Sequence, residues 1–163
     1  MKKALIGILV MMMIFATTGC GNGEEAPPAA DSNEIYSQDL AKHIRENVTF
    51  KDHMDIVDND ILFEVYGIDP GFVIDASSYF STGATAEEIT VIKTDDIEAV
   101  MTAYEDRIES QIEGFENYVP EELTKLAVPY KLAVDNTVIL VICDDPEEAE
   151  VAVKSYIDDL NNN

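Results

Sequence analysis

Two imidazoles, two thiols and a run of aspartates are the groups here whose chemistry reaches beyond ordinary surface charge. His43 and His53 stand near Asp52 and Asp55. A helix-borne histidine pair binds metal when the two rings lie at i, i+4, and these two are too far apart in the chain, so ordinary surface histidines are expected. Asp55, Asp58 and Asp60 look superficially like a calcium loop. An EF-hand needs Gly at its sixth position and Glu at its twelfth. Counted from Asp55 those positions hold Asp60 and Tyr66, and counted from Asp58 they hold Phe63 and Asp69. Weak cation association with an acidic surface is all that pattern supports. Ser77, Ser78, Ser81 and Thr82 supply hydroxyls, with no G-x-S-x-G elbow around them and no base placed by motif. Cys143 ends an apolar run beside Asp144 and Asp145; burial and neighbouring acids both raise a thiol pKa, which predicts an inert core cysteine. Nothing singles out a carboxylate pair for glycoside hydrolysis. No catalytic, cofactor-binding or metal-ligating residue is assigned, and no cofactor is expected.

Cys20 is a different case. Lys2 and Lys3 are the only charges before Glu24, and residues 4–16 form an apolar run of 13 residues. A transmembrane helix needs about 20 apolar residues, whereas a secretory h-region has about 7–15. The Thr17-Thr18-Gly19-Cys20 that follows resembles the lipobox of bacterial lipoproteins, with Thr17 where Leu is usual. That resemblance implies cleavage before Cys20, diacylglycerol on its sulfur and an acyl group such as palmitate on the new N-terminus. The competing readings are an ordinary secretory signal with an incidental cysteine, and an uncleaved anchor. Two acyl chains anchor a domain stably where one binds only marginally. The expected location is therefore the outer face of the cell membrane, with the lipid as the only membrane contact.

Charge narrows the partners. The chain of 163 residues carries 10 Lys and Arg against 33 Asp and Glu, a net charge of −23. Loss of Lys2 and Lys3 with the signal leaves 8 bases and a net charge of −25. Nucleic acid needs a basic face, and so does docking on anionic lipid; both are excluded as partners of the folded surface. A hydrophobic content of 47% also excludes a disordered acidic tail.

The elements that must position these residues follow from periodicity. The reading is a signal peptide at 1–19, a lipidated Cys and Gly/Pro-rich tether at 20–33 and a single domain at 34–163. Ile35, Leu40, Ile44 and Val48 predict a helix over 34–48, capped by Asp31 with Glu34. Residues 59–66 predict a short helix closed by Gly67. Strands are expected over 72–81, with Phe72, Ile74, Ala76 and Phe80 on one side, and over 88–94, joined as a hairpin. Ile97, Val100, Met101, Tyr104, Ile108, Ile112, Phe115 and Val119 form the longest helical stripe, with Asp95 and Glu98 as its capping box. Gly114 inside it costs roughly 1 kcal/mol against Ala. Glu98, Glu105, Glu109, Glu113 and Glu116 make its outer face acidic. Arg107, the one base in that helix, has no acid at i−4 or i+4, so its partner must come from another element or from neighbours on the Asp106 side. A short helix is expected over 121–126. Strands over 130–134 and 137–143 are joined by Asp135-Asn136, the second apolar on both faces and so central and covered. A final helix over 146–160 is capped by Asp145 with Glu148. A shift of 49 residues lays one hairpin-helix half on the other. The expected fold is α+β: a four-stranded antiparallel sheet in a ββαββα-like arrangement with one or two N-terminal helices.

Several segments together resemble one family. They are Tyr66-Gly67-Ile68-Asp69-Pro70, Ala84-Thr85-Ala86-Glu87-Glu88-Ile89, Arg107-Ile108-Glu109-Ser110-Gln111, Phe115-Glu116-Asn117-Tyr118 with Pro120-Glu121-Glu122, and the run from Val138 to Asp145. In that order they resemble the bacterial lipoproteins of the domain of unknown function 4358 family. Asn136 stands where a glycine is usual in the second hairpin turn, and fits the same need for positive φ. The resemblance implies an exported domain and supplies no catalytic residue. The expectation is a membrane-anchored extracytoplasmic lipoprotein acting as a non-catalytic binding or interaction module, with a protein partner at the cell envelope. The alternative is a small exported hydrolase using acidic residues.

Overall fold

β-branched residues dominate 88–94 and 137–142, and these two runs become the centre of the sheet. A computed structural model describes residues 34–162. The expected signal, Cys20 and the 20–33 tether lie outside the described residues. The elements are α1 (Ser37–Asn47), β1 (Asp55–Val57), α2 (Asn59–Tyr66), β2 (Val73–Phe80), β3 (Glu88–Thr94), α3 (Ile97–Phe115), α4 (Leu123–Ala127), β4 (Tyr130–Val134), β5 (Thr137–Ile142) and α5 (Pro146–Asn161). The strands form one antiparallel sheet in the order β1-β2-β3-β5-β4. The expected α+β class is right, but the sheet has five strands rather than four. The extra strand is β1, where Asp55, Ile56 and Val57 pair with Phe80, Tyr79 and Ser78. Its acid-rich, three-residue sequence carries no alternation long enough to show in a pattern.

Every residue of β3 and β5 is buried, because helices cover both faces of the sheet. On one face Leu40, Ala41 and Ile44 of α1 and Ala149, Ala152 and Val153 of α5 pack over Ile89, Val91, Ile139 and Val141. On the other, Leu62 and Tyr66 of α2, Val100, Ala103, Tyr104 and Ile108 of α3 and Leu126 of α4 pack over Ala76, Ile92, Val138, Leu140 and Ile142. The two hairpin-helix halves therefore send their helices to opposite faces. A two-fold axis normal to the sheet, which is what an antiparallel β3–β5 pair would require, keeps both helices on one face. The 49-residue echo is a likeness of local pattern, not a rotational repeat of structure.

The local corrections have simple causes. A register shift between Val73 and Asp75 breaks the strict alternation of β2 and leaves Ile74 exposed instead of beside Ala76 and Phe80. Helix α1 starts at Ser37 after an N-cap Tyr36 that makes no side-chain cap bond, since Glu34 is drawn to Lys93. Asp96, not Asp95, caps α3, accepting from the Ala99 N–H. Asp145 caps α5 as expected, but the Glu148 carboxylate reaches across to the N–H and hydroxyl of Thr49. In the second hairpin turn the positive φ, 51°, falls on Asp135 rather than Asn136.

Candidate functional site

Two neighbouring glutamates at the start of β3 organise the polar interior. Glu88 points to the α2/α3 face, the same side as Thr90 and Ile92. Its carboxylate accepts from Arg107 Nε (3.1 Å) and Nη2 (2.8 Å), from Gln111 Nε2 (2.7 Å), from Thr90 Oγ1 (3.2 Å) and from the Tyr66 hydroxyl. Arg107 and Gln111 stand four residues apart on α3, so one helix face presents both to the same carboxylate. The guanidinium lies over the rings of Phe80 and Tyr66, at 5.3 and 5.9 Å from their centroids. Ser78 and Thr90 share a hydrogen bond across β2 and β3, and the Tyr104 hydroxyl donates to the Val138 carbonyl. Burial and then the Glu88 charge push the phenols of Tyr66 and Tyr104 well above their ordinary range. A charge this deep is tolerated because donors surround it. Of the two partners left open for Arg107, another element or neighbours on the Asp106 side, the structure shows the first, and that element is β3.

Glu87 points the other way along the sheet's end. It accepts from the backbone N–H groups of Lys51 (3.0 Å) and Asp52 (2.9 Å), from Thr85 Oγ1 (3.1 Å) and from Lys125 Nζ (3.1 Å). Lys125 also pairs with Glu122 at 2.9 Å, and Glu122 in turn accepts from the Ala86 N–H. Burial pulls the Lys125 pKa down, but hydrogen bonds from its ammonium to Glu122 and Glu87 outweigh it and the pKa ends up raised. Asp144 and Lys51 close the outer edge with an ion pair of 2.9 Å. The loop before β1, the β2–β3 turn, α4 and the end of β5 are thus tied to one buried dipeptide.

Beside this network lies a pocket of about 390 Å³, between the Ser81–Ala86 stretch and the second half of α3. Its wall includes Phe80, Arg107, Ser110, Gln111, Gly114 and Phe115. A second pocket, about 450 Å³, lies by Glu34, Asp75 and Lys93 at the other end of β2.

The residues weighed for chemistry are scattered. His43 is on α1 within reach of Ser155 Oγ (3.1 Å), and His53 pairs with Asp55 on β1 (3.0 Å). Asp58 N-caps α2 through its backbone, and Asp60 lies in that helix's first turn. Among the described residues no group of three or more His, Cys, Asp and Glu is placed to hold a metal ion. Ser78 is consumed inside the sheet, and Ser81 Oγ donates to the Thr85 carbonyl. Cys143 is buried and donates to the Asp145 carbonyl, and burial pushes its thiol up to about 11. Cys20 lies outside the described residues. The Glu88 cluster was not read from the sequence as a site. Four of its members, Tyr66, Glu88, Arg107 and Gln111, nonetheless lie in three of the segments that carry the family resemblance.

Fold and interior define a small α+β domain with both sheet faces covered and a polar hub at one strand's start. The model of the family described as a domain of unknown function (DUF4358) matches residues 46–143, and the chain belongs to that family. The match takes in the sheet, α2, α3, α4 and the whole Glu87–Glu88 hub except Asp144, and leaves out α5. No curated protein and no solved structure matches the chain. Among the described residues no helix is long and apolar enough to cross a membrane.

Proposed function

We propose that the chain is a membrane-anchored extracytoplasmic lipoprotein whose domain is a non-catalytic binding module held off the membrane by its tether. One observation carries the binding-module half of this reading. The buried acids Glu87, Glu88 and Glu122 are each already engaged by Arg107 or Lys125 and by further donors. A general acid or base must be free to exchange a proton with substrate, and these carboxylates are committed to the fold. The carboxyls whose pKa is displaced, Glu34, Asp52 and Asp144, are all displaced downward, first by hydrogen bonds from Lys93, Thr82 and Lys51 respectively. A catalytic acid needs the opposite displacement, so the hydrolase alternative gains no support from them.

The anchoring half rests on the 13-residue apolar run followed by Thr17-Thr18-Gly19-Cys20. The test is expression of the full gene and of Cys20→Ala with a radiolabelled fatty acid. The parent is expected to take up label, to begin at Cys20 and to partition with membranes; the variant is expected to remain unlabelled. Equal labelling of the two forms, or a mature N-terminus elsewhere, overturns the anchor.

A further inference from the structure

Gly114 has no packing cause. Glycine within a helix is less favourable than alanine by about 1 kcal/mol, yet a Cβ built at Gly114 meets no atom within 4 Å. No neighbour presses on this position, and its φ is not positive. What the missing side chain does is leave a wall of the 390 Å³ pocket bare.

The same helix face carries the pocket's polar groups. Arg107, Gln111 and Gly114 fall at i, i+4 and i+7, and all three line the pocket. Gln111 is 7% exposed; its Nε2 is committed to Glu88, and its Oε1 is buried with no hydrogen-bond partner. An unsatisfied buried acceptor is costly, and a native one calls for an explanation. Arg107 commits Nε and Nη2 to Glu88, which leaves Nη1 as the guanidinium's third donor nitrogen, on a side chain 21% exposed. The Ser110 hydroxyl and the Phe115 ring lie beside them, together with Thr82, whose hydroxyl donates to Asp52, and the carboxylates of Glu87 and Glu88, which are engaged by Lys125 and Arg107.

We propose that this pocket binds a neutral saccharide, with the side-chain-free Gly114 keeping it open. The proposal rests on the binding-module reading and names its ligand class. An anion approaches a chain of net charge −23 against repulsion, and the guanidinium charge it would seek is already matched by Glu88. A cation finds the two lining carboxylates, Glu87 and Glu88, already paired with Lys125 and Arg107. The groups on offer are a nitrogen donor of Arg107, the unpaired Gln111 carbonyl acceptor, the Ser110 hydroxyl, which can act either way, and the Phe115 ring, while one face of Phe80 is taken by the guanidinium. A sugar ring supplies the complement, hydroxyls that donate and accept at adjacent carbons and a C–H face for the Phe115 ring. The volume lies in the range of small-molecule pockets, about 300–1,000 Å³.

The test is titration of the full chain, extracted in a sugar-free detergent, with glucose and N-acetylglucosamine by saturation-transfer NMR and calorimetry. Alanyl-alanine and acetate form the other arms. Gly114→Leu is the main variant, since its side chain enters the pocket from a position where a Cβ meets nothing; a melting temperature equal to or above the parent's shows that it folds. Ser110→Ala is the second variant, at an exposed lining residue. At least one sugar is expected to bind the parent, to lose about tenfold or more in affinity with Gly114→Leu, and to lose about three- to tenfold with Ser110→Ala, the scale of one hydrogen bond. Absence of sugar binding, equal binding by a folded Gly114→Leu chain, or preference for the dipeptide or acetate overturns the proposal. If Cys20 proves unlipidated, the titration is run on the soluble full chain, so failure of the anchor and failure of the pocket are read separately.

Discussion

The sheet separates two interiors built on different principles. On the α1/α5 face, Ile89, Val91, Ile139 and Val141 meet Leu40, Ile44, Ala149 and Val153, a contiguous apolar layer. On the α2/α3/α4 face an apolar layer of similar make-up is interrupted near its edge by Tyr66, Ser78, Glu88, Thr90, Arg107 and Gln111. Both faces cover the same central strands, so the contrast does not come from the need to bury the sheet. An apolar layer is non-directional and tolerates repacking. A buried charge cluster is worth little net but fixes geometry, because each member is expensive to leave alone. The α2/α3/α4 face is the one with side chains held in fixed places, and the pocket opens beside them.

The largest expected effect tests that contrast directly. Glu88→Ala removes the acceptor of Arg107, Gln111 and Tyr66 at once. Breaking a buried pair from one side costs about 3–5 kcal/mol, and the partial exposure of Arg107 places the loss at the lower end, about 3 kcal/mol. Ile139→Val, on the apolar face at a fully buried position, is expected to cost only about 0.5–1.5 kcal/mol. Urea unfolding of both variants is the measurement. Equal losses would mean that the Glu88 cluster is replaceable filling, and the distinction between the faces would fail.

How much of this was legible follows the same division. The α1/α5 layer could be read from the sequence because its residues recur at helical and strand periods; Ala149, Ala152, Val153, Tyr156, Ile157 and Leu160 all pack where the stripe places them. Strand β3 was legible to the residue. Glu88 was not legible as a hub. Alternation marks which side of a strand a residue faces, but not whether an acid there meets a cation 19 residues on, and only Arg107, lacking a local partner, carried a hint. Strand β1 was illegible because three residues hold no period and its pairing is made by β2. The N-cap of α3 was displaced by one because Asp95 and Asp96 are chemically equivalent and only geometry separates them.

Acid should find the weak points away from the Glu88 cluster. Glu34 ties to Lys93 beside α1, while Asp52 and Asp144 ties gather the loop before β1 and the end of β5. All three have pKa values below their ordinary 4.5, 3.8 and 3.8. A carboxyl whose folded pKa is depressed contributes stability that is present above its unfolded pKa and lost as pH falls through the folded value. These contributions are therefore nearly complete at pH 5 and above, begin to fall as pH drops past the ordinary 4.5 for Glu34 and 3.8 for the two aspartates, and are lost only below the depressed folded values. The urea midpoint is expected to change little between pH 7 and pH 5 and to drop between pH 4.5 and pH 2.5. Asp144→Asn and Asp52→Asn should each flatten the drop. A drop already finished at pH 5 would assign the acid sensitivity to other groups.

The smallest effect concerns the two glycines that flank the polar cluster, and there the sign is the test. Gly67 follows Tyr66 and closes α2 with φ of 63°, the left-handed conformation that disfavours any residue with a Cβ. Gly67→Ala is expected to lose about 1 kcal/mol. Gly114 sits next to the end of α3 in ordinary helical conformation with open space where its Cβ would be. Gly114→Ala is expected to gain about 0.5 kcal/mol, less than a mid-helix replacement because the position lies in the last turn of α3, where helix propensity counts for less. Thermal melting of the two variants in parallel should give shifts of opposite sign, about 2–4 °C down for Gly67 and about 1–2 °C up for Gly114. A methyl group is too small to fill the pocket, so the Gly114→Ala chain should keep whatever the parent binds. Loss of stability at Gly114 would mean that α3 is pressed there by something the bare wall does not show, and the glycine would then serve the fold rather than the opening beside it.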